Sequence, residues 1–240
     1  MHLKKGHAIL AMATAVIILL IVGTEHMKLK EQIREMEVSL NAQEQEYKQA
    51  LNVERIKGFV DYSEREGISS SYLSWKEAHE IAEHFYEDSD GRFQKEWAIF
   101  LAMETDGKEL DPFLVYELLK VETGGTFDPH LIGPETPYGH AYGLAQFMTN
   151  TGPWIAEMAG IPYEQDKLFD PIYSIQLAIV YLDFLYQQYG DWNHALTAYH
   201  RGIYGLEQYI EENGHAESWY AVLIQENAED SQLLSYEQGN

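Results

Sequence analysis

The sequence contains no cysteine. Disulfides, zinc–thiolate sites, iron–sulfur clusters and a cysteine nucleophile are therefore excluded. Cations are scarce as well: 16 Lys and Arg stand against 39 Asp and Glu, a net charge of −23. A chain with so few cations cannot line up a row of phosphate contacts, which argues against a nucleic-acid partner. The scarcity is uneven. Residues 1–57 hold 8 cations and 7 anions, whereas residues 58–240 hold 8 and 32. From Asp111 onward the basic residues are Lys120, Lys167 and Arg201. No glycine-rich phosphate loop and no flavin or nicotinamide fingerprint is present. No run alternates polar and apolar residues long enough to make a sheet. With 240 residues, 45% of them hydrophobic, the chain is long enough for one or two packed domains, and the fold class expected is mostly α.

Charge is also missing from residues 6–24, a 19-residue stretch without Asp, Glu, Lys or Arg. As a helix it would span about 28 Å, enough for the hydrocarbon core of a bilayer. Lys4 and Lys5 on its short N-terminal flank predict that residues 1–5 stay in the cytoplasm. A single-pass signal-anchor is expected, with the rest of the chain outside the cytoplasm, on the cell-wall side. The alternative is a cleaved signal peptide and a secreted protein, although the stretch ends without a clean small-x-small cleavage site. Residues 25–58 follow as a polar helical stalk. Leu29, Ile33, Met36, Leu40, Gln43, Tyr47 and Ala50 repeat at alternating spacings of 4 and 3, an a/d seam. The seam permits a coiled coil and hence a homodimer. A single amphipathic stalk fits the pattern equally well.

The body reads as helices. Ser74-Trp-Lys-Glu77 is a capping box that opens a helix to about Asp88. A second helix is expected near 93–103. Asp111, Asp170 and Asp191 are N-caps of three more, the first two followed by Pro at the first helical position. Residues 59–108 are read as a helical extension, 109–226 as a catalytic domain and 227–240 as a frayed tail. Between 123 and 142 the chain is rich in Gly, Pro, His and Thr, a long loop with room for a small hairpin.

Glu122 is the residue that fits a structural role least well. It lies on the apolar stripe of Val115, Leu118 and Leu119, in the last turn before Gly124-Gly125 stop the helix. Burial and the carbonyl end of the helix dipole both disfavour its charge, so its pKa should rise toward that of a general acid. Two further blocks draw attention. Tyr142-Gly-Leu-Ala-Gln146-Phe-Met-Thr offers a close-approach glycine and an amide at the expected head of a helix. Ala198-Tyr-His-Arg-Gly202 ends the helix from Asp191. Taken singly, each reads as well as a loop-to-helix junction or a core tyrosine.

Together, in this order and spacing, these blocks resemble the soluble lytic transglycosylase (SLT) domain, related to goose-type lysozyme. Glu-Thr-Gly-Gly at 122–125, Gly-Leu-Ala-Gln at 143–146, Leu-Phe-Asp-Pro at 168–171 and Ala-Tyr-His-Arg-Gly at 198–202 carry the likeness, over about residues 110–210. The resemblance implies a lysozyme-like fold and a peptidoglycan-cleaving enzyme. Its substrate would be the β-1,4 bond between MurNAc and GlcNAc, and its product an end in 1,6-anhydroMurNAc. Glu122 would be the single acid and base, with Tyr199 orienting it. Thr123, Gly143, Leu144, Gln146, Phe147 and His200 would line the substrate. No metal or other cofactor is implied. The chain departs from the family pattern at three points: Thr123 stands for the usual Ser, Ala145 for Met, and His200-Arg201 for Asn-Ala. Two other readings stay open: a hydrolytic muramidase on the same scaffold, and a catalytically weak wall-binding or assembly subunit.

The remaining candidates are weaker. His79 and His84 are five apart, about 140° around a helix, whereas a zinc-protease helix needs a spacing of four. His130, His140, Asp128 and Glu135 share the loop after Glu122, where turn or capping roles are expected instead of a metal site. Trp154, Trp192 and Trp219 are expected to pack in the core, with sugar stacking as the alternative.

Overall fold

The computed structural model describes residues 75–238, together with 27, 28, 30–34, 36 and 39. The chain divides into two units, Met1–Gly58 and Phe59–Asn240. The membrane-spanning segment expected at 6–24 and the cap at Ser74 lie outside the described residues. Within the expected stalk the described residues are helical, and Ile33 and Met36 are exposed. Among the described residues no helix is long and apolar enough to cross a membrane.

The second unit is built from helices. They are α1 (Trp75–Asp88), α2 (Lys95–Asp106), α3 (Pro112–Glu122), α4 (Gly152–Met158), α5 (Pro171–Tyr189), α6 (Trp192–Asn213) and α7 (Trp219–Gln238). A two-stranded antiparallel ribbon, β1 (Ala141–Tyr142) and β2 (Phe147–Met148), sits between α3 and α4, and a 3₁₀ turn, Gln165–Phe169, precedes α5. The sequence signals act as expected at three helix starts. Asp111 Oδ1 accepts from Phe113 N, Asp170 Oδ1 from Ile172 N and Asp191 Oδ1 from His194 N, each at 2.9 Å. Each bond satisfies one of the free donors of a first turn. Gly190, at φ +64°, closes α5 in the left-handed conformation a C-cap requires. Gly202, at φ +75°, breaks α6 into two helical segments, so the Ala198–Gly202 block does end a helical run.

Helix α3 is buried nearly all round, from Phe113 to Leu119. Such a helix belongs at the centre of a domain. On one side Tyr116 stacks on Phe85 of α1, ring centroids 4.1 Å apart, and both meet Phe93. On another side α3 packs against α7. Residues 227–238, expected as a frayed tail, are instead the second half of α7. Polar contacts hold that half in place. Asn227 Nδ2 donates to Glu117 Oε2 at 3.2 Å, and Ser231 shares a 2.8 Å hydrogen bond with His84 of α1. Glu117 is buried and bonded by Lys120 Nζ at 3.2 Å, which also reaches Asp88 at 2.7 Å. Removing one member of such a network would leave a buried charge unpaired.

Candidate active site

Glu122 is the last residue of α3. Leu119 O accepts from Thr123 N, Val121 O from Gly124 N and Lys120 O from Gly125 N, and Gly124 and Gly125 take positive φ. The chain thus turns away as soon as the carboxyl has been presented. Part of the residue is reachable from solvent, yet the carboxyl is enclosed by protein. Burial pushes its pKa up to about 7, partly offset by a hydrogen bond that Tyr220 donates to Oε1 at 2.5 Å. Desolvation therefore dominates, and the acid holds its proton near neutrality.

Tyr220 belongs to α7, is 1% exposed and lies outside every sequence block singled out above. His200 covers its face, with parallel rings 4.5 Å apart. Tyr199, expected to orient Glu122, spends its hydroxyl elsewhere: it donates to Ala145 O at 3.0 Å. It stays within electrostatic reach of Glu122, since burial and then the Glu122 charge raise its own pKa well above the usual phenol value. Among the described residues, the side-chain hydrogen bond to the acid is Tyr220's.

The block at 142–149 is a hairpin, not the head of a helix. Ala141 pairs with Met148 and Tyr142 with Phe147, and residues 143–146 form the turn. The turn is pinned on two sides, because Ala145 N donates to Ser174 Oγ of α5 while Ala145 O accepts from Tyr199. Gly143 has φ +73°, and a Cβ there would lie 1.8 Å from Leu168 O. Only glycine fits, and its work is close packing. Gln146 has φ +50°, and its Nε2 donates to Gly143 O at 2.8 Å and Leu131 O at 3.3 Å. The amide braces the hairpin against the preceding loop.

Of the other residues expected to line the substrate, Thr123, Leu144 and Phe147 are buried. Thr123 Oγ1 donates to Leu119 O at 2.8 Å and accepts from Phe127 N at 3.2 Å, locking the exit from α3. Phe147 packs on Tyr181 and Tyr199. These side chains are packed into the frame of the site. His200 is the exposed member of the set. Burial of part of its ring, and then Arg201 beside it, push its pKa down. Arg201 lies over the Tyr209 ring at 4.7 Å.

Asp128 and Glu135 are both exposed, and Asp128 Oδ1 caps a turn by accepting from His130 N at 2.9 Å. Among the described residues no group of three or more His, Asp or Glu is arranged to hold a metal. Trp192 stacks on Tyr186 and Trp154 packs edge-on to Phe184. Trp154 and Trp219, both expected in the core, are 39% and 60% exposed.

The Transglycosylase SLT domain model matches residues 100–222, a span that holds Glu122, all four motif blocks and Tyr220. Among solved structures, the chain is similar to an inactive mutant of lytic transglycosylase Slt from Pseudomonas aeruginosa, at 20% identity and a TM-score of 0.43, over 68% of this chain and 30% of that one. It is also similar to the 70 kDa soluble lytic transglycosylase Slt70 from Escherichia coli, at 18% identity and a TM-score of 0.42, over 77% of this chain and 33% of that one. The chain therefore spans about a third of the length of these two proteins. No curated protein sequence matches it. With just over half of its residues matched by the family model, the chain belongs to the transglycosylase SLT domain family.

Proposed function

We propose that the protein is a peptidoglycan lytic transglycosylase that cuts the β-1,4 bond between MurNAc and GlcNAc with Glu122 as its single acid and base. The observation that carries this reading is the carboxyl itself: enclosed, raised to about 7, and held on one oxygen by Tyr220. With Oε1 taken by the phenol, the acidic proton belongs on Oε2, free to meet the substrate. In the first step Glu122 gives that proton to the glycosidic oxygen as the bond to the MurNAc anomeric carbon breaks. The N-acetyl group stabilises the positive charge left at that carbon. The Glu122 carboxylate then takes the proton of the MurNAc C6 hydroxyl, whose oxygen closes on the anomeric carbon. The products are a free GlcNAc hydroxyl and a 1,6-anhydroMurNAc end, with no net addition of water.

A lone acid suits this chemistry. Two-carboxylate hydrolysis needs a second carboxyl about 5 Å away for retention or about 6.5–9.5 Å away for inversion. Asp128 spends one oxygen on its own turn, and the cyclising route needs no second carboxyl. The N-terminal segment and the stalk complete the proposal. Residues 6–24 anchor the chain in the cell membrane, and the catalytic unit works on the wall side with no cofactor. Digestion of purified glycan strands by the full chain, followed by weighing of the fragments, tests the function. N-terminal sequencing of the mature protein tests the anchor, and a start near Glu25 would mean a cleaved signal.

A further inference from the structure

Three rings meet beside the acid. His200 lies flat on Tyr220, Trp219 stands edge-on to His200 with centroids 5.6 Å apart, and Trp219 stands edge-on to Tyr220 at 5.8 Å. Tyr220 is fully covered, whereas His200 and Trp219 are exposed. Trp219 therefore meets the ring whose hydroxyl bonds Glu122. A tryptophan left 60% open at the head of a helix forfeits burial that the fold could have used. Its contact with the tyrosine that holds Glu122 gives that open face a use.

We propose that Trp219 and His200 form an aromatic wall that takes the apolar face of a sugar ring of the glycan strand, next to the bond that Glu122 protonates. This rests on the glycan reading of the site. Sugar rings offer C–H faces to aromatic planes, and covering such a face removes apolar surface from water. The wall also accounts for the imidazole at 200. A flat ring there both covers Tyr220 and extends the aromatic surface toward Trp219. An aliphatic residue could cover Tyr220 but would not continue the flat aromatic surface toward Trp219.

The test uses the full chain in mild detergent, carrying Glu122→Gln so that a bound glycan is not cut, with tetra-N-acetylchitotetraose as the probe. Binding should shift the tryptophan fluorescence. Adding Trp219→Ala should abolish most of that spectral shift and weaken the dissociation constant about tenfold, or ~1.4 kcal/mol. Trp219→Phe should keep affinity within about threefold. Because Trp219 is exposed, both variants should keep the melting temperature of the parent, so the loss reads as binding alone. Equal affinity with and without Trp219, in folded protein, would overturn the wall and leave the assignment of Glu122 standing. No binding by Glu122→Gln with Trp219 intact would overturn the glycan reading and the wall with it.

Discussion

Tyr220 donates its hydroxyl to Glu122 Oε1 at 2.5 Å across 98 residues of chain. The bond joins the end of α3 to the start of α7, and it opposes burial in setting the acidity of Glu122. Because it favours the carboxylate, its loss should be visible in acidity as well as in rate. Tyr220→Phe should lower turnover by one to two orders of magnitude, the scale of ~1.5–3 kcal/mol for a hydrogen bond to a charged group. Its pH–rate profile should also keep the acid protonated to higher pH than in the parent. A Tyr220→Phe enzyme with the parent's rate and profile would remove the tyrosine from the machinery.

Tyr199→Phe should behave differently. It deletes the bond to Ala145 O and leaves a carbonyl of the hairpin turn without this donor. The expected result is a loss of stability of about 1–3 kcal/mol with the alkaline limb unmoved. Urea unfolding beside a pH–rate series separates the two tyrosines.

The acidity of Glu122 sets the pH dependence. A general acid with a pKa near 7 is protonated below that value, so cleavage should fall as pH rises through about 7. The same shift appears in stability. The folded pKa lies above the ordinary 4.5, so the contribution of this group is fully present below about 4.5 and is lost as pH rises through about 7. Glu122→Gln does not titrate. It should match the parent's stability near pH 4 and exceed it by about 3 kcal/mol at pH 8, since each pKa unit is worth about 1.4 kcal/mol. Denaturant titrations of both proteins at the two pH values check this, and equal stability at pH 8 would mean the carboxyl is not desolvated.

Gly143 offers a test of the frame. Gly143→Ala adds a Cβ against Leu168 O at a positive φ. Strain and overpacking together should cost about 3 kcal/mol or more. The variant should unfold at clearly lower urea concentration, and a loss of activity without any loss of stability would return Gly143 to a substrate role.

Local signals were readable in the sequence where they were local in space. The Asp caps, the proline starts, the double-glycine stop and the buried acid at the end of α3 all rest on neighbours a few residues away. The hairpin at 141–148 differs from the helix entrance expected there because its strands are two residues each, too short to show an alternating pattern. Residues 227–238 looked like a tail because Asn227 and Ser231 hold them by polar bonds to Glu117 and His84, which leave no apolar stripe to read. Tyr220 carries no sequence signal for a related reason, and Trp219 shows in the sequence only as a core residue with sugar stacking as the alternative. Nothing near them in sequence indicates that α7 packs on α3, and one of the two is covered while its neighbour is open. Thr123 drew attention for its place beside Glu122, yet its hydroxyl turns back to the carbonyl four residues earlier, a bond that β-hydroxy residues commonly make in helices.

The chemistry at Glu122 is tested most directly by the mass of the cut ends. Purified glycan strands are incubated with the full chain and, in parallel, with its Glu122→Gln variant, and the fragments are weighed. The account predicts anhydro ends, lighter by one water than hydrolysed ends, from the parent, and no cleavage from Glu122→Gln. Ends carrying the added water would make the enzyme a muramidase, and unchanged cleavage by Glu122→Gln would contradict the assignment of the acid.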